Sequence, residues 1–354
     1  MLASLALSVA IGLALSRSKG GGASSGLDAK HKPRIGFSMD TLKEARWQTD
    51  RDIFTATAEK MGAEVLVQSA NSNDTKQMQD VQSLISRGVD VLVIVPHDGK
   101  AMGKAVDTAA ENGIPVIAYD RLITNTKELD LYVSFDNVKV GEAQAQFLLD
   151  TLLKEKPKIR IVRIYGSPTD NNAKLLKQGQ DQVLEPLIAS GAVEVLHEDW
   201  ATDWRPESAK QITNAAITRH GSGFDAILTS NDGTAGGAIQ ALSEEGVAGK
   251  IFVTGQDADL PALQRIVAGT QAMTIYKPIS VLAARAAEAA VNMAMGRPVI
   301  ARSDVSNGEE DVPAILVEIA TVTKENIRDT VVKDNFHTEE DIYRNESPTP
   351  ADAR

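Results

Sequence analysis

Arg46 and Trp47 follow the apolar run in RIGFSMD, and Asp120 and Arg121 close GIPVIAYDR. Asn171 and Asn172 close IRIVRIYGSPTDNN, Asn231 and Asp232 close FDAILTSND, and Asp257 closes KIFVTGQD. In an open parallel α/β sheet, ligands bind outside the carboxyl ends of the strands, so side chains at these positions are expected to converge on one crevice. An Arg fork beside a carboxylate clamps two neighbouring hydroxyls from fixed geometry. Indole rings, here Trp47 in EARWQTDRD and Trp204 in DWATDWRPE, cover the C–H face of a sugar-like ring. Buried amide and carboxylate acceptors such as Asn231 and Asp257 discriminate against analogues that lack a hydroxyl, because the site is then left with unpaired polar groups. The set suits a neutral, hydroxyl-rich ligand and offers no obvious grip on phosphate, metal or nucleic acid.

Each of these residues also has a plainer use. Asp120 and Arg121 would serve as a salt bridge at a strand end. One of Asn171 and Asn172 would cap the helix expected at 173–184, the usual work of Asn before a helix. Lys277, before Pro278 at an apparent crossing between lobes, reads equally as a ligand contact or a solvated hinge residue. Either indole could pack on its own lobe, and Trp200 has less claim to a ligand than Trp47 or Trp204.

The elements that must position these residues come as strand then helix, repeated. Apolar runs at 34–38, 64–68, 90–95, 114–118 and 131–134 alternate with Ala-, Gln-, Lys- and Glu-rich segments, which is the pattern of a parallel sheet covered on both faces. Asn73 and Asp74 start a helix that runs to Arg87 and closes at Gly88. A second alternation has strands at 159–164, 193–196, 225–229, 250–254 and 272–275, with helices starting near Asn172, Pro206, Thr234 and Leu260. Two such halves in tandem predict two lobes. A helix at 278–295 is expected to return to the first lobe.

The 354-residue length accommodates two domains, and 43% hydrophobic content supplies their cores. A net charge of −11 argues against a polyanionic partner such as nucleic acid. Cysteine is absent, which excludes disulfides, thiol catalysis and lipid attachment through cysteine. The apolar run at 2–15, followed by a Gly/Ser-rich stretch, reads as an export signal, too short to span a bilayer comfortably. No Lys or Arg precedes that run and no clear A-x-A site follows it, so a retained anchor and a different start are its alternatives.

Motifs for catalysis are poor. No G-x-G-x-x-G follows the first strand, and neither a phosphate-binding G-x-x-x-x-G-K-[ST] nor a G-x-S-x-G elbow is present. The stretch from Gly233 to Gly237 lacks a lysine for phosphate and is better explained by close helix packing. The histidines at 31, 97, 197, 220 and 337 are dispersed, without metal-binding spacing. No enzyme activity, cofactor or metal is expected.

The segments RWQTDRDIF, VQSANSNDTKQMQ, LISRGVDVLVIVPHDG, IAYDRLI, YVSFDNVKVGE, GSPTDNNAKL, SNDGTAGGAIQALSEEG, GQDADLPALQRI, GTQAMTIYKPI and VVKDNFH resemble those of the periplasmic sugar-binding proteins of the ribose and galactose type, from about Pro33 to about His337. The resemblance implies two Rossmann-like lobes of the type I periplasmic binding protein fold, with three hinge crossings and a ligand cleft between them. It implies a signal and flexible segment at 1–30, an N-terminal lobe of 31–137 plus 278–309, a C-terminal lobe of 138–277 plus 310–340, and a frayed tail at 341–354. It implies a monomeric receptor in the periplasm that closes over one monosaccharide, D-xylose first, with ribose, arabinose, glucose or galactose as alternatives. The sugar would pass to a membrane ABC permease, with a chemotaxis or sensor-kinase receptor as a further partner. By position, Arg46, Trp47, Asp120 and Arg121 look like first-lobe contacts. Asn172, Asn171, Trp204, Asn231, Asp257 and Lys277 look like the remaining ones, and Phe135 is a candidate near a hinge. The N-terminus departs from the family's pattern. A LacI-type regulator shares the fold but would need a basic helix-turn-helix where this chain is apolar and then glycine-rich.

Overall fold

The computed structural model describes residues 32–344, so the expected export signal and the last residues of the expected tail lie outside the described residues. The first five strands are β1 (Arg34–Met39), β2 (Glu64–Ser69), β3 (Val91–Ile94), β4 (Val116–Tyr119) and β5 (Leu131–Phe135), all parallel. Helices α1 (Ala45–Lys60), α2 (Asp74–Ser86) and α3 (Gly103–Glu111) connect them. Strands β3, β4 and β5 are buried at every residue, which is why they read as unbroken apolar runs rather than as alternation. Asn73 caps α2 by accepting from the Lys76 backbone N–H at 2.8 Å.

The second half contains α4 (Asn137–Leu152), β6 (Ile159–Tyr165), α5 (Asn171–Ala189), β7 (Val193–Trp200), α6 (Pro206–His220), β8 (Ala226–Thr229), α7 (Asp232–Glu244), β9 (Phe252–Val253), α8 (Leu260–Val267) and β10 (Thr274–Tyr276). Its parallel sheet has the order β7-β6-β8-β9. Gly237 of α7 faces α6 so closely that a Cβ there would collide with the Pro206 carbonyl, so this glycine of the run at 233–237 serves helix packing, whereas Gly233 and Gly236 meet no neighbouring backbone within 3.4 Å.

The chain then returns. Helix α9 (Ile279–Ala294) packs on α1 and covers one face of the first sheet, where Phe37, Phe54, Tyr119, Leu282 and Ala286 are fully buried. Burying one such aromatic or Leu side chain stabilises the fold by roughly 1.5–3 kcal/mol. A hairpin of β11 (Ser303–Ser306) and β12 (Asp311–Val317) follows, its turn held by Asn307 Oδ1 accepting from the backbone N–H groups of Glu309 and Glu310. Strand β12 pairs parallel with β5, which completes a seven-stranded sheet of order β11-β12-β5-β4-β3-β1-β2. This corrects the expected boundary at 309/310: residues 311–317 belong to the first sheet, because the apolar run VPAILV finds its partner along the free edge of β5. The last strand, β13 (Ala320–Val322), pairs antiparallel with β10 in the second lobe.

Among the described residues the chain therefore passes between the lobes three times: after β5, between β10 and α9, and between β12 and β13. The end is less frayed than expected. Thr338 caps the short helix α10 (Glu339–Tyr343), Ile342 is buried, and Gln264 of α8 donates to the Asp341 carbonyl at 2.8 Å.

Candidate functional site

Where the carboxyl ends of both sheets face each other, a small cavity, narrowed by the charged pairs that cross it, is lined by Glu44, Arg46, Trp47, Asp120, Arg121, Asp170, Asn172, Trp204, Asn231, Gln256, Asp257 and Lys277. Nine of these side chains are ones the sequence singles out, and Glu44, Asp170 and Gln256 are ones it did not.

The first-lobe wall is assembled at the start of α1 and the end of β4. Arg46 reaches Asp120 Oδ2 at 2.8 Å, Asp50 Oδ2 at 3.3 Å and, across the cleft, Asp257 Oδ1 at 3.2 Å. Arg121 reaches Asp40 Oδ2 at 2.8 Å and, across the cleft, Asp170 Oδ2 at 2.9 Å. Both guanidiniums approach the Trp47 indole, 4.2 Å for Arg46 and 5.3 Å for Arg121, ring centroid to Cζ. This is cation–π geometry, and it keeps the ring in place while leaving it part of the cavity wall. Asp120 has a left-handed backbone, φ 61°, and its carbonyl accepts from the Tyr132 hydroxyl and from Asn172 Nδ2 at 2.9 and 3.0 Å. That backbone turns the carboxylate back toward Arg46.

The second-lobe wall is made of helix caps and tight turns. Asp170 caps α5 by accepting from the Asn172 backbone N–H at 2.9 Å, and its other oxygen accepts from Trp204 Nε1 at 3.1 Å. Asn231 caps α7 in a reciprocal box with Thr234, yet it also lines the cavity. Trp204 (φ 56°) and Asp257 (φ 99°) both have left-handed backbones. The outer edge of the Trp204 ring lies against Gly166, where any Cβ would run into the indole. Lys277 is buried and holds Asp257 Oδ1 at 2.8 Å.

Two expected contacts fall elsewhere. Phe135 is a core residue of β5, 1% exposed, and it sits beneath Lys277 with its ring 5.4 Å from Nζ. It supports the lysine instead of lining the cavity. Asn171 is the first residue of α5, and the turn of the helix carries it away from the wall that Asn172 joins. The plainer readings also hold in part: Asp120 and Arg121 do make salt bridges, and the capping of α5 falls to Asp170 rather than to either Asn. That Asp stands in TDNN directly before the pair, and an Asp two residues ahead of a buried Asn at a helix start is the signal that would have found it. Trp200 packs on Tyr165, ring centroids 4.9 Å apart, in an outer groove of the second lobe.

The electrostatics follow from burial and charge count. Three cations (Arg46, Arg121, Lys277) meet five carboxylates (Asp40, Asp50, Asp120, Asp170, Asp257). Burial alone would lower the Arg46 pKa, but Asp120, Asp50 and Asp257 outweigh it and raise the value well above the ordinary one. Burial would raise the Asp120 carboxyl, but Arg46, Lys277 and Arg121 pull it below the usual range. The carboxylates at the margins of the cationic cluster go the other way. Burial pushes Asp50 up to about 6 against the pull of Arg46, and it raises Asp170 against the pull of Arg121. Charged donors and acceptors held in this way, with two indoles, can grip a ring of hydroxyls from several sides.

Residues 35–298 match the family model described as periplasmic binding protein domain. The chain belongs to the periplasmic binding protein family. Two members named D-xylose-binding periplasmic protein are similar to it along nearly its whole length. The one from Haemophilus influenzae is 50% identical over 310 residues, covering 88% of this chain and 92% of that protein. The one from Escherichia coli is 48% identical over 309 residues, covering 87% and 92%. Among solved structures of the family, a carbohydrate transporter solute-binding protein from Chloroflexus aurantiacus in complex with D-glucose superposes with a TM-score of 0.82 at 31% identity, covering 88% of this chain and 98% of that one. An ABC transporter solute-binding protein from Clostridium phytofermentans with bound β-D-glucose gives 0.80 at 29%, covering 87% and 99%. The two-lobed α/β architecture described above is the type I fold of this family.

Proposed function

We propose that the chain is a periplasmic receptor that captures D-xylose between its two lobes and hands it to a membrane ABC sugar permease, acting as a monomer and without catalysis. The observation that carries this reading is its near-half identity, over almost all of both chains, to two proteins named for D-xylose. The cavity supports it: its walls are amides, carboxylates, guanidiniums and indoles drawn from both lobes, the groups that recognise a neutral polyol. Arg46, Trp47, Asp120 and Arg121 contact the sugar from one side, and Asp170, Asn172, Trp204, Asn231, Asp257 and Lys277 from the other.

In this mechanism the cross-cleft pairs Arg46–Asp257, Arg121–Asp170 and Asn172–Asp120 separate when the lobes part, and water hydrates both walls. A sugar that enters offers hydroxyls to both walls at once only in the closed form, so it shifts the population toward closure. Closure excludes water, so an epimer that misplaces one hydroxyl leaves a buried charged group unpaired, at a cost of about 1–3 kcal/mol. The closed surface is what the permease, or a chemotaxis or sensor-kinase receptor, would read.

Isothermal titration calorimetry against D-xylose, ribose, arabinose, glucose and galactose tests the reading. One-to-one binding with D-xylose tightest is the expected result. Tighter binding of glucose would move the ligand to a hexose, the sugar held by the two solved structures named above. Failure of all five sugars would remove the ligand class altogether.

A further inference from the structure

Beside the sugar cavity, the lobes meet at a second charged contact. His97, in the loop after β3, places Nδ1 2.7 Å from Asp74 Oδ1 at the first turn of α2 and Nε2 3.6 Å from Asp203 Oδ1 of the second lobe. A neutral imidazole carries a single N–H. If Nδ1 holds it, a lone pair on Nε2 faces the Asp203 carboxylate; if Nε2 holds it, a lone pair on Nδ1 faces Asp74 at hydrogen-bond distance. Only the imidazolium both donates to Asp74 and attracts Asp203, the latter as an ion pair across 3.6 Å rather than as a hydrogen bond. Asp203 lies in the same tight turn as Trp204, both with left-handed backbones at φ 51° and 56°. Whatever holds Asp203 therefore also holds the turn that carries one wall of the sugar cavity.

We propose that protonated His97 is a latch between the lobes, bridging Asp74 to Asp203 in the closed form, and that sugar capture is therefore linked to uptake of a proton. The inference rests on the sugar-receptor reading above.

The groups that face the imidazole decide its sign. Asp74 comes from α2, Asp40 from the end of β1, Arg121 from the end of β4, and Asp203 from the opposite lobe. Arg205, 3.9 Å from Asp203 Oδ2, shares that carboxylate from within the second lobe. Lys43, Glu44 and Glu207 line the same part of the cleft. Burial lowers the His97 pKa and Arg121 lowers it further, but the hydrogen bond to Asp74 and the charges of Asp40 and Asp74 raise it above the ordinary value. Opening carries Asp203 away, which loosens the proton, and hydrates the ring, which tightens it; the latch requires the lost carboxylate to outweigh the relieved burial, so that the closed form holds the proton more tightly than the open one. Closure then gains as pH falls through the His97 pKa and loses that gain as pH rises through it. Both partners keep some solvent contact, so the expected size is that of a part-exposed ion pair, about two- to fivefold in affinity.

The test is D-xylose affinity by calorimetry across about pH 5.5 to 8.5, the range where histidine titrates, for the parent chain, His97→Gln and Asp203→Asn. The parent is expected to weaken about two- to fivefold as pH rises and to show proton uptake on binding in buffers of different ionisation heat. Both variants are expected to lose that component. Asp50 and Asp170 contribute their own pH dependence, but it is common to all three proteins, so the difference between parent and Asp203→Asn isolates the latch. A parent whose profile coincides with both variants overturns the latch while leaving the sugar reading intact. Absence of D-xylose binding at every pH overturns both.

Discussion

The first-lobe wall of the cleft presents two guanidiniums packed against the Trp47 indole, backed by Asp40, Asp50 and Asp120, whereas the second-lobe wall presents helix-capping side chains and two residues in left-handed turns. On the first wall, geometry is set by charge: each cation is held by two or more carboxylates, and the indole packs against both. On the second, geometry is set by backbone. Asp170 and Asn231 are fixed because their oxygens satisfy helix N–H groups, and Trp204 and Asp257 point where the left-handed φ sends them. Charge-set groups fail when a partner is removed, and backbone-set groups fail when the backbone or what lies under it is changed.

The largest effect is expected where the two walls meet. Asp257 accepts from Arg46 of one wall and Lys277 of the other. Asp257→Ala leaves both cations without that carboxylate and is expected to weaken D-xylose binding by about 100-fold, the size of a lost charged hydrogen bond or two. Calorimetry reads this directly, and unchanged affinity would remove Asp257 from the site.

The cost of crowding carboxylates on the first wall is measurable as stability. Asp50, raised to about 6 by burial, holds its proton more tightly in the folded chain than in the unfolded one. Its contribution is therefore complete at pH below the unfolded value and is lost as pH rises through about 6. Asp259, also raised to about 6 by burial and the charge of Asp257, acts with the same sign. Chemical denaturation between about pH 5 and 7.5 is expected to show a parent whose stability falls by on the order of 1–3 kcal/mol as pH rises. Asp50→Asn, neutral throughout, should fall less. An equal slope in both proteins would place the proton elsewhere.

On the backbone-set wall, Gly166→Ala puts a methyl against the Trp204 indole and is expected to displace the ring. Sugar affinity should drop about tenfold, of the order of 1 kcal/mol, and tryptophan emission should change. If affinity holds, Trp204 is not positioned by that glycine. The finest distinction is between neighbours. Asn172→Ala removes a donor to Asp120 and is expected to cost about five- to tenfold in affinity, whereas Asn171→Ala, off the cavity, should stay within about twofold. Equal effects would dissolve the difference that one step along α5 makes.

The strands and helices of both lobes were legible because burial imposes local patterns. Unbroken apolar runs mark strands covered on both faces, and Asn73, Gly88 and Pro206 mark helix ends. Much of the cavity wall was legible for a similar reason, since the strand ends of a parallel sheet deliver polar residues to one edge. Strand β12 joins the first sheet against the boundary expected at 309/310, because nothing in VPAILV states which sheet edge is free.

The sequence by itself determined the two-lobed alternation, the placement of Asp120, Arg121, Asn231 and Asp257 after strand ends and of Arg46 beyond the first strand, and the unsuitability of the chain for phosphate or thiol chemistry. Only the tertiary structure decided that Arg46 pairs with a carboxylate 211 residues away, that Asp170 rather than Asn171 joins the wall, and that Phe135 lies beneath Lys277. The physical reason is range. Propensity, capping and periodicity act within a few residues and leave their marks in order along the chain, whereas the pairing of buried charges depends on which strand ends the folded sheets bring within hydrogen-bond distance.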